Sequence, residues 1–469
     1  MKLESSRRRI GSARRSRSTW IGGSQLSTRK SRLMMAAVGA VAALVILSGC
    51  TSSPASDTST GNYTPGKLTK AYSGTTISVL LPPWGTFPQS ELKKFTSETG
   101  IKVKMQTLAW DSIHDKVVTA EAAGQAPADV VEMDWTWVAQ FGAAGWYEPL
   151  GKYMSKAQLS DSVGASQFVY KGQQIGMPYS LDFRGTEVNM TMLKKAGIST
   201  PPKTWNDLLK DAEAVKNAGV VQYPLGYALK VLEGAVTPWF ALVRGSGGQI
   251  LTAKGQPAFA QGEIGQAAFQ FIRDAYQKGL IDPGAIGLTE EQVSTNFAAG
   301  QSAVLISASP NSIPGYTDPT QSKVAKNELQ FVHMPGQAND TGPTVGLEEA
   351  LSIPKASKNK EAAAQFITWW MQTPQQLAAQ SNPNMGLLPP SRTALQKLES
   401  ADTLQDSSTI MKLSANIQPI FPDGGPTWYS KFVIDSAATI QSVALGHTTP
   451  AAGIAKLATQ TKQLAAQGQ

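Results

Sequence analysis

Ile77-Ser78-Val79-Leu80-Leu81-Pro82-Pro83-Trp84 is a short run, apolar but for Ser78 up to the two prolines that close it. A run this short, bounded by residues that cannot donate to a sheet ladder, predicts a buried strand. Behind it, Ser90 to Glu98 reads as a helix ended by Gly100. Ile101, Val103 and Met105 then alternate with Lys102, Lys104 and Gln106, the period-two pattern of a half-buried strand. Another short strand, Asp129 to Met133, opens onto Asp134-Trp135. Strands separated by helices predict an α/β fold with parallel layers.

The second half supplies clearer helices. Thr204 and Asp207 have capping-box spacing; apolar Trp205, Leu208, Leu209, Ala212 and Val215 follow at helical intervals, and Gly219 stops them. Ile264, Ala267, Ala268, Phe271, Ile272 and Ala275 form a second stripe ending at Gly279, and a third helix is expected from Lys358 to Met371. Thr373-Pro374 has the form of a cap and first turn. The roughly 420 residues from Cys50 onward exceed what one core serves, so two lobes are expected.

The N-terminal part is of another kind. Residues 1–49 hold ten Lys and Arg against Glu4, leaving 32 basic and 33 acidic residues beyond them. The formal charge of +8 thus belongs to the leader and implies no nucleic-acid partner. Leu33 to Leu47 is a run of fifteen uncharged, mostly apolar residues. As a helix it would reach about 22 Å against roughly 30 Å of bilayer hydrocarbon, so it is expected to be an export signal that is cut. Arg14-Arg15 lies eighteen residues before that run and leaves the export route open. Leu47-Ser48-Gly49-Cys50 resembles the bacterial lipobox, in which the cysteine takes a diacylglycerol and the chain is cleaved just before it; paired acyl chains give stable anchoring. Cys50 is the single cysteine, so no intrachain disulfide can form. Thr51 to Gly74, rich in Ser, Thr, Gly and Pro, reads as a flexible tether. Gly61 to Lys67 has phosphate-loop spacing, but Leu68 stands where a hydroxyl is needed and no strand precedes it.

Catalytic motifs are scarce. His114, His333 and His447 are far apart with no zinc-ligand spacing, and no Gly-x-Ser-x-Gly elbow occurs. The pair Glu348-Glu349 could serve a glycosidase or bind hydroxyl groups. The positive signal is aromatic. Of eleven tryptophans, Trp84, Trp110 and Trp135 fall where strands end, the edge at which open α/β sheets bind ligands, whereas Trp205, Trp369 and Trp370 lie on helix stripes and are assigned to packing.

From Ile175 to Asn189 (Ile-Gly-Met-Pro-Tyr-Ser-Leu-Asp-Phe-Arg-Gly-Thr-Glu-Val-Asn), through Leu193-Lys194-Lys195-Ala196-Gly197 and Pro201-Pro202-Lys203-Thr204-Trp205, a family likeness emerges. It continues in Ser246-Gly247-Gly248, Phe297 to Val304 and Ile353 to Ala363. The ordered set resembles the family 1 extracellular solute-binding proteins of ATP-binding-cassette importers, the maltose-binding-protein-like group. The resemblance implies a two-lobed periplasmic-binding-protein fold, each lobe a mainly parallel sheet flanked by helices, with a ligand cleft between them. With the signal peptide expected over 1–49 and the tether over 50–74, it implies lobe 1 over 75–182 plus 308–355 and lobe 2 over 183–307 plus 356–469. The chain would cross between lobes near Asp182 to Asn189, Ser307 to Ser309 and Pro354.

By position, the resemblance implies that Asp134, Trp135, Asp182, Trp239, Trp428 and Tyr429 contact the solute, with Trp84, Tyr179, Arg184 and Glu348 added for their places near strand ends or crossings. Two positions depart from the family: Val188 replaces an aromatic before Asn189, and Ala308-Ser309-Pro310 replaces a Gly-Pro-Trp plate. One stacking face is therefore expected to be missing, against a long maltodextrin. The expectation is a monomeric lipoprotein that captures a mono- or oligosaccharide for a permease, without cofactor, metal or catalysis. Rivals are a polyol, glycerophosphodiester or polyamine as solute, a secreted glycosidase, or a sensor subunit.

Overall fold

A computed structural model describes residues 63–382, 385–421 and 424–468. The leader, Cys50 and most of the tether lie outside the described residues. Among the described residues thirteen strands follow in order: β1 (Thr76–Leu81), β2 (Lys102–Thr107), β3 (Val130–Asp134), β4 (Val169–Tyr170), β5 (Gln173–Gln174), β6 (Met177–Pro178), β7 (Gly185–Asn189), β8 (Leu225–Gly226), β9 (Val304–Ala308), β10 (Leu329–Val332), β11 (Thr344–Val345), β12 (Glu349–Ser352) and β13 (Ile417–Gln418).

Lobe 1 is built on a five-stranded sheet ordered β2-β1-β3-β12-β6. β1 runs parallel to β2 and β3, as the strand–helix alternation predicts, while β12 joins β3 and β6 antiparallel. The helix between β1 and β2, Gln89–Thr99, closes on Gly100 at φ 75°, a left-handed cap that suits glycine. Ile77, Val79 and Leu81 pack with Phe95 on one face of the sheet; Leu80, Val131 and Met133 pack with Ile113 and Val117 on the other. Lobe 2 carries a four-stranded sheet, β10-β7-β9-β8, whose first two pairings are antiparallel and only β8–β9 parallel. Strands fed from a crossing segment arrive running the other way, and an alternation of strand and helix does not reveal that. The capping box at Thr204 and Asp207 forms as predicted and starts the helix Trp205–Asn217.

The crossings lie beside one another. Residues 179–185 and 345–349 pair antiparallel: Tyr179 N–H donates to the Glu349 carbonyl (3.0 Å), Leu347 N–H to Asp182 (3.0 Å) and Arg184 N–H to Val345 (3.1 Å). Gly185 permits the passage, since a Cβ there would sit 2.3 Å from the Phe331 ring and 2.7 Å from the Val332 carbonyl. Opposite it, β9 is irregular and Ser307 adopts φ 64°.

Several boundaries differ from expectation. Residues 308–343 do not belong to lobe 1: β10 pairs with β7, so the chain returns near Gly346–Glu349 rather than at Pro354, which is bridged to Tyr147 within lobe 1. Nor does lobe 2 resume at 356. The helix Lys360–Trp370 covers the first sheet, with Phe366 5.2 Å from Phe87 and 5.3 Å from Phe95, and Trp370 donating its indole N–H to the Tyr179 carbonyl (2.9 Å). Helices Arg392–Ser400 and Ser407–Ser414 pack with Leu181, Phe183 and Phe331 in a third core, and Tyr429–Ala444 and Pro450–Gln467 pack on Ile264–Gln277 in lobe 2.

The tether also ends sooner than its composition suggests. Residues 63–74 form a strap docked on lobe 1. Tyr63 stands edge-on to Tyr153 and donates to its carbonyl (3.0 Å), while the buried Gln365 accepts from Thr69 N–H (2.8 Å) and donates to the Lys67 carbonyl (3.0 Å).

Candidate functional site

The lobe 1 wall is a patch of acid at the carboxyl end of the sheet. Glu132 and Asp134 alternate along β3, so both point to one face. The β12 register sets Glu349 opposite Asp134. Tyr179, just after β6, donates its hydroxyl to Glu349, and the Trp84 indole N–H donates to the same oxygen (2.6 Å). Trp84 itself is 40% exposed. Asp134 caps the next turn, accepting from Thr136 N–H (2.8 Å) and the Thr136 hydroxyl (2.5 Å). Burial pushes Glu349 up to about 8, with the Asp134 charge adding to it. Burial likewise lifts Asp134 to about 6 against the Thr136 hydrogen bonds. Glu132 is driven well above the carboxylate range, first by burial and then by the charges of Glu349 and Asp134.

The crossing contributes an ion-pair chain. One Arg184 amino group bonds both Asp182 oxygens (2.8 Å each), and the other lies 3.3 Å from Glu290, the first residue of helix Glu290–Ala298. Burial works against the guanidinium charge, but Asp182 and Glu290 outweigh it and raise its pKa. The Ser309 hydroxyl donates to Asp182 (2.5 Å), so the serine that replaces the family's plate region is used here. Glu348 accepts from Gln167 and is raised by burial to about 8.

Lobe 2 meets this wall through aromatic rings. Trp135 lies 5.7 Å from Phe421 and 5.5 Å from Tyr429, whose hydroxyl donates to Glu233. Gly425 approaches so closely that a Cβ there would be 2.8 Å from the Thr136 carbonyl. The structure therefore brings together Trp84, Asp134, Trp135, Tyr179, Asp182, Arg184, Glu348 and Tyr429.

It does not bring in Trp239 or Trp428. Trp239 is wholly buried inside lobe 2 among Phe240, Phe259 and Phe269, all within 5.5 Å, and packing explains it. Trp428 packs on Phe432 (6.0 Å) with Gly255 and Gly468 beside it, because successive residues entering a helix point in different directions. Sequence reasoning also missed Glu132, Glu233, Glu290 and Phe421. The alternation of Glu132 with Asp134 was the available signal for the first; nothing local marked the others.

Residues 80–377 match the family of bacterial extracellular solute-binding proteins. The chain belongs to that family. A Brucella abortus member whose name specifies no ligand is 26% identical over 373 residues, 78% of this chain and 86% of the relative. The mannitol-binding protein of Pseudomonas aeruginosa is 25% identical over 279 residues, 58% of this chain and 63% of the relative. A Thermotoga lettingae solute-binding protein solved with alpha-D-tagatose shares the fold at TM-score 0.72 with 23% identity, covering 83% of this chain and all of that one. This family member thus has the two-lobed fold of the solute-binding proteins of ATP-binding-cassette importers and acts outside the cytoplasm. Among the described residues, no helix is long and apolar enough to cross a membrane.

Proposed function

We propose that this solute-binding protein captures a carbohydrate or polyol in the cleft and delivers it to an ATP-binding-cassette permease, without turning it over. The observation that carries this reading is the meeting of Trp135 with Phe421 and Tyr429 next to Asp134, which the β12 register sets opposite Glu349. Flat aromatic faces suit the C–H surface of a sugar, and carboxyl groups at their edge suit its hydroxyls. The relative named for mannitol and the structural neighbour solved with alpha-D-tagatose support the class. Closure about the paired crossings would bury the solute, and its binding energy would select the closed form that a permease reads. The chain would act as a monomer, held to the membrane by a lipid on Cys50 once residues 1–49 are removed.

A thermal-shift screen of sugars and polyols tests this. A true solute at 100 times its dissociation constant adds about 2.7 kcal/mol to apparent stability. Tyr429→Ala is expected to lower affinity at least tenfold. A response to no sugar or polyol would defeat the carbohydrate reading, and consumption of any sugar would make the chain an enzyme.

A further inference from the structure

The aromatic meeting across the cleft is closer than a stacked solute permits. A solute between two flat faces needs them at least about 7–8 Å apart, two carbon–carbon contact distances. Trp135 and Phe421 stand 5.7 Å apart with 34° between their planes, nearer to parallel than Trp135 and Tyr429 at 5.5 Å and 66°. Trp135 is 4% exposed and Phe421 2%, whereas Trp84, past the end of neighbouring β1, is 40% exposed. The two lobe 2 rings are held differently. Tyr429 begins the helix Tyr429–Ala444, and its hydroxyl is fixed on Glu233. Phe421 has no polar atom on its side chain and is backed within lobe 2 by Phe240 (6.0 Å), Tyr429 (5.6 Å) and Phe432 (6.5 Å). Its contact with Trp135 is therefore one made between lobes.

Resting on the solute-capture reading above, we infer that Phe421 sets the affinity by competition: it covers the face of Trp135 on which the solute stacks, and the solute enters as that ring contact breaks. Ring contact and stacked solute exclude each other, because the 5.7 Å spacing has no room for a layer between. The contact is attractive in its own right, since aromatic pairs at such distances are favourable beyond the area they bury. The observed affinity is then the intrinsic affinity reduced by the fraction of molecules whose Trp135 face is free. This separates Phe421 from the two rings beside it. Removing a platform such as Trp135 or Tyr429 weakens binding, whereas removing a competitor strengthens it. The close approach of Gly425 to the Thr136 carbonyl belongs to the same lobe-to-lobe contact.

The test compares the full-length chain in detergent with Phe421→Leu, which keeps apolar bulk against Phe240 and Phe432 but removes the flat ring. Isothermal titration calorimetry is run with glucose, maltose, mannitol, ribitol and tagatose. The variant is expected to bind at least about threefold more tightly than the parent, with a lower melting temperature. A purely structural role for Phe421 lowers the melting temperature without raising affinity. Should Phe421→Leu not fold, Phe421→Met, whose flexible side chain fills irregular gaps, serves in its place. A second readout needs no solute: the emission of Trp135, taken as the difference from the same chain carrying Trp135→Phe, is expected to move to longer wavelength when Phe421 is replaced. Tighter binding, or binding seen in the variant alone, supports the competition. Unchanged emission overturns it. Equal or weaker binding by the variant of a solute that the parent binds also overturns it and leaves solute capture standing. Silence of both chains towards every probe overturns the competition together with the carbohydrate reading.

Discussion

Glu187, on β7, is the lobe 2 counterpart of Glu132: fully buried, with neither carboxyl oxygen bonded. Burial, and then the charge of Asp406, raises it well above the usual range. Glu348 and Glu349 at about 8, and Asp134 at about 6, shift the same way. Each such group keeps its proton in the folded chain at a pH where the unfolded chain has lost it. The folded state then binds more protons, so stability is fully present below the ordinary carboxylate pKa and falls as pH rises from about 4.5 towards 8. The melting temperature is expected to be higher at pH 5 than at pH 8, and a flat or rising profile over that window would contradict these assignments. Glu187→Met should raise stability at pH 8 by on the order of 1–3 kcal/mol in urea denaturation, since it removes a buried polar group without partners. At this scale the sequence showed what lay at strand ends, such as Asp134, Trp135, Asp182 and Arg184. It hid Glu132, because a glutamate within Val130-Val131-Glu132-Met133 is no signal of a buried acid until the register of β12 is known.

Elements were legible where periodicity or caps spoke, and misread where composition did. The helix Trp205–Asn217 begins at its capping box, and both it and Ile264–Gln277 end within two residues of the glycines expected to stop them, Gly219 and Gly279. By composition the strap at 63–74 reads as tether, because Ser, Thr, Gly and Lys outnumber its anchors Tyr63, Leu68 and Tyr72. Its docking depends on Gln365, which satisfies two backbone groups at once. Gln365→Ala is expected to cost about 1–3 kcal/mol and to raise hydrogen exchange at Thr69, leaving solute affinity unchanged; protection of Thr69 as in the parent chain would refute the role given to Gln365.

For the molecule as a whole, the family likeness carried the two-lobed plan, but topology assigned the pieces. Residues 329–332 and 360–370 each lie in the lobe opposite to the one their order along the chain implies, since a chain crossing several times gives no local sign of its side. Trp239 and Trp135 make the distinction testable. Trp239→Ala should destabilise lobe 2 by about 3–5 kcal/mol with affinity retained in the folded fraction. Trp135→Ala should lower affinity at least tenfold, with a smaller loss of stability. Reversed outcomes in equilibrium unfolding and calorimetry would relocate the aromatic wall. The strap adds a mechanical consequence. Tension drawn on the chain from before Tyr63 would enter lobe 1 at Tyr153 and Gln365, away from the paired crossings, so closure about those crossings would not work against the pull.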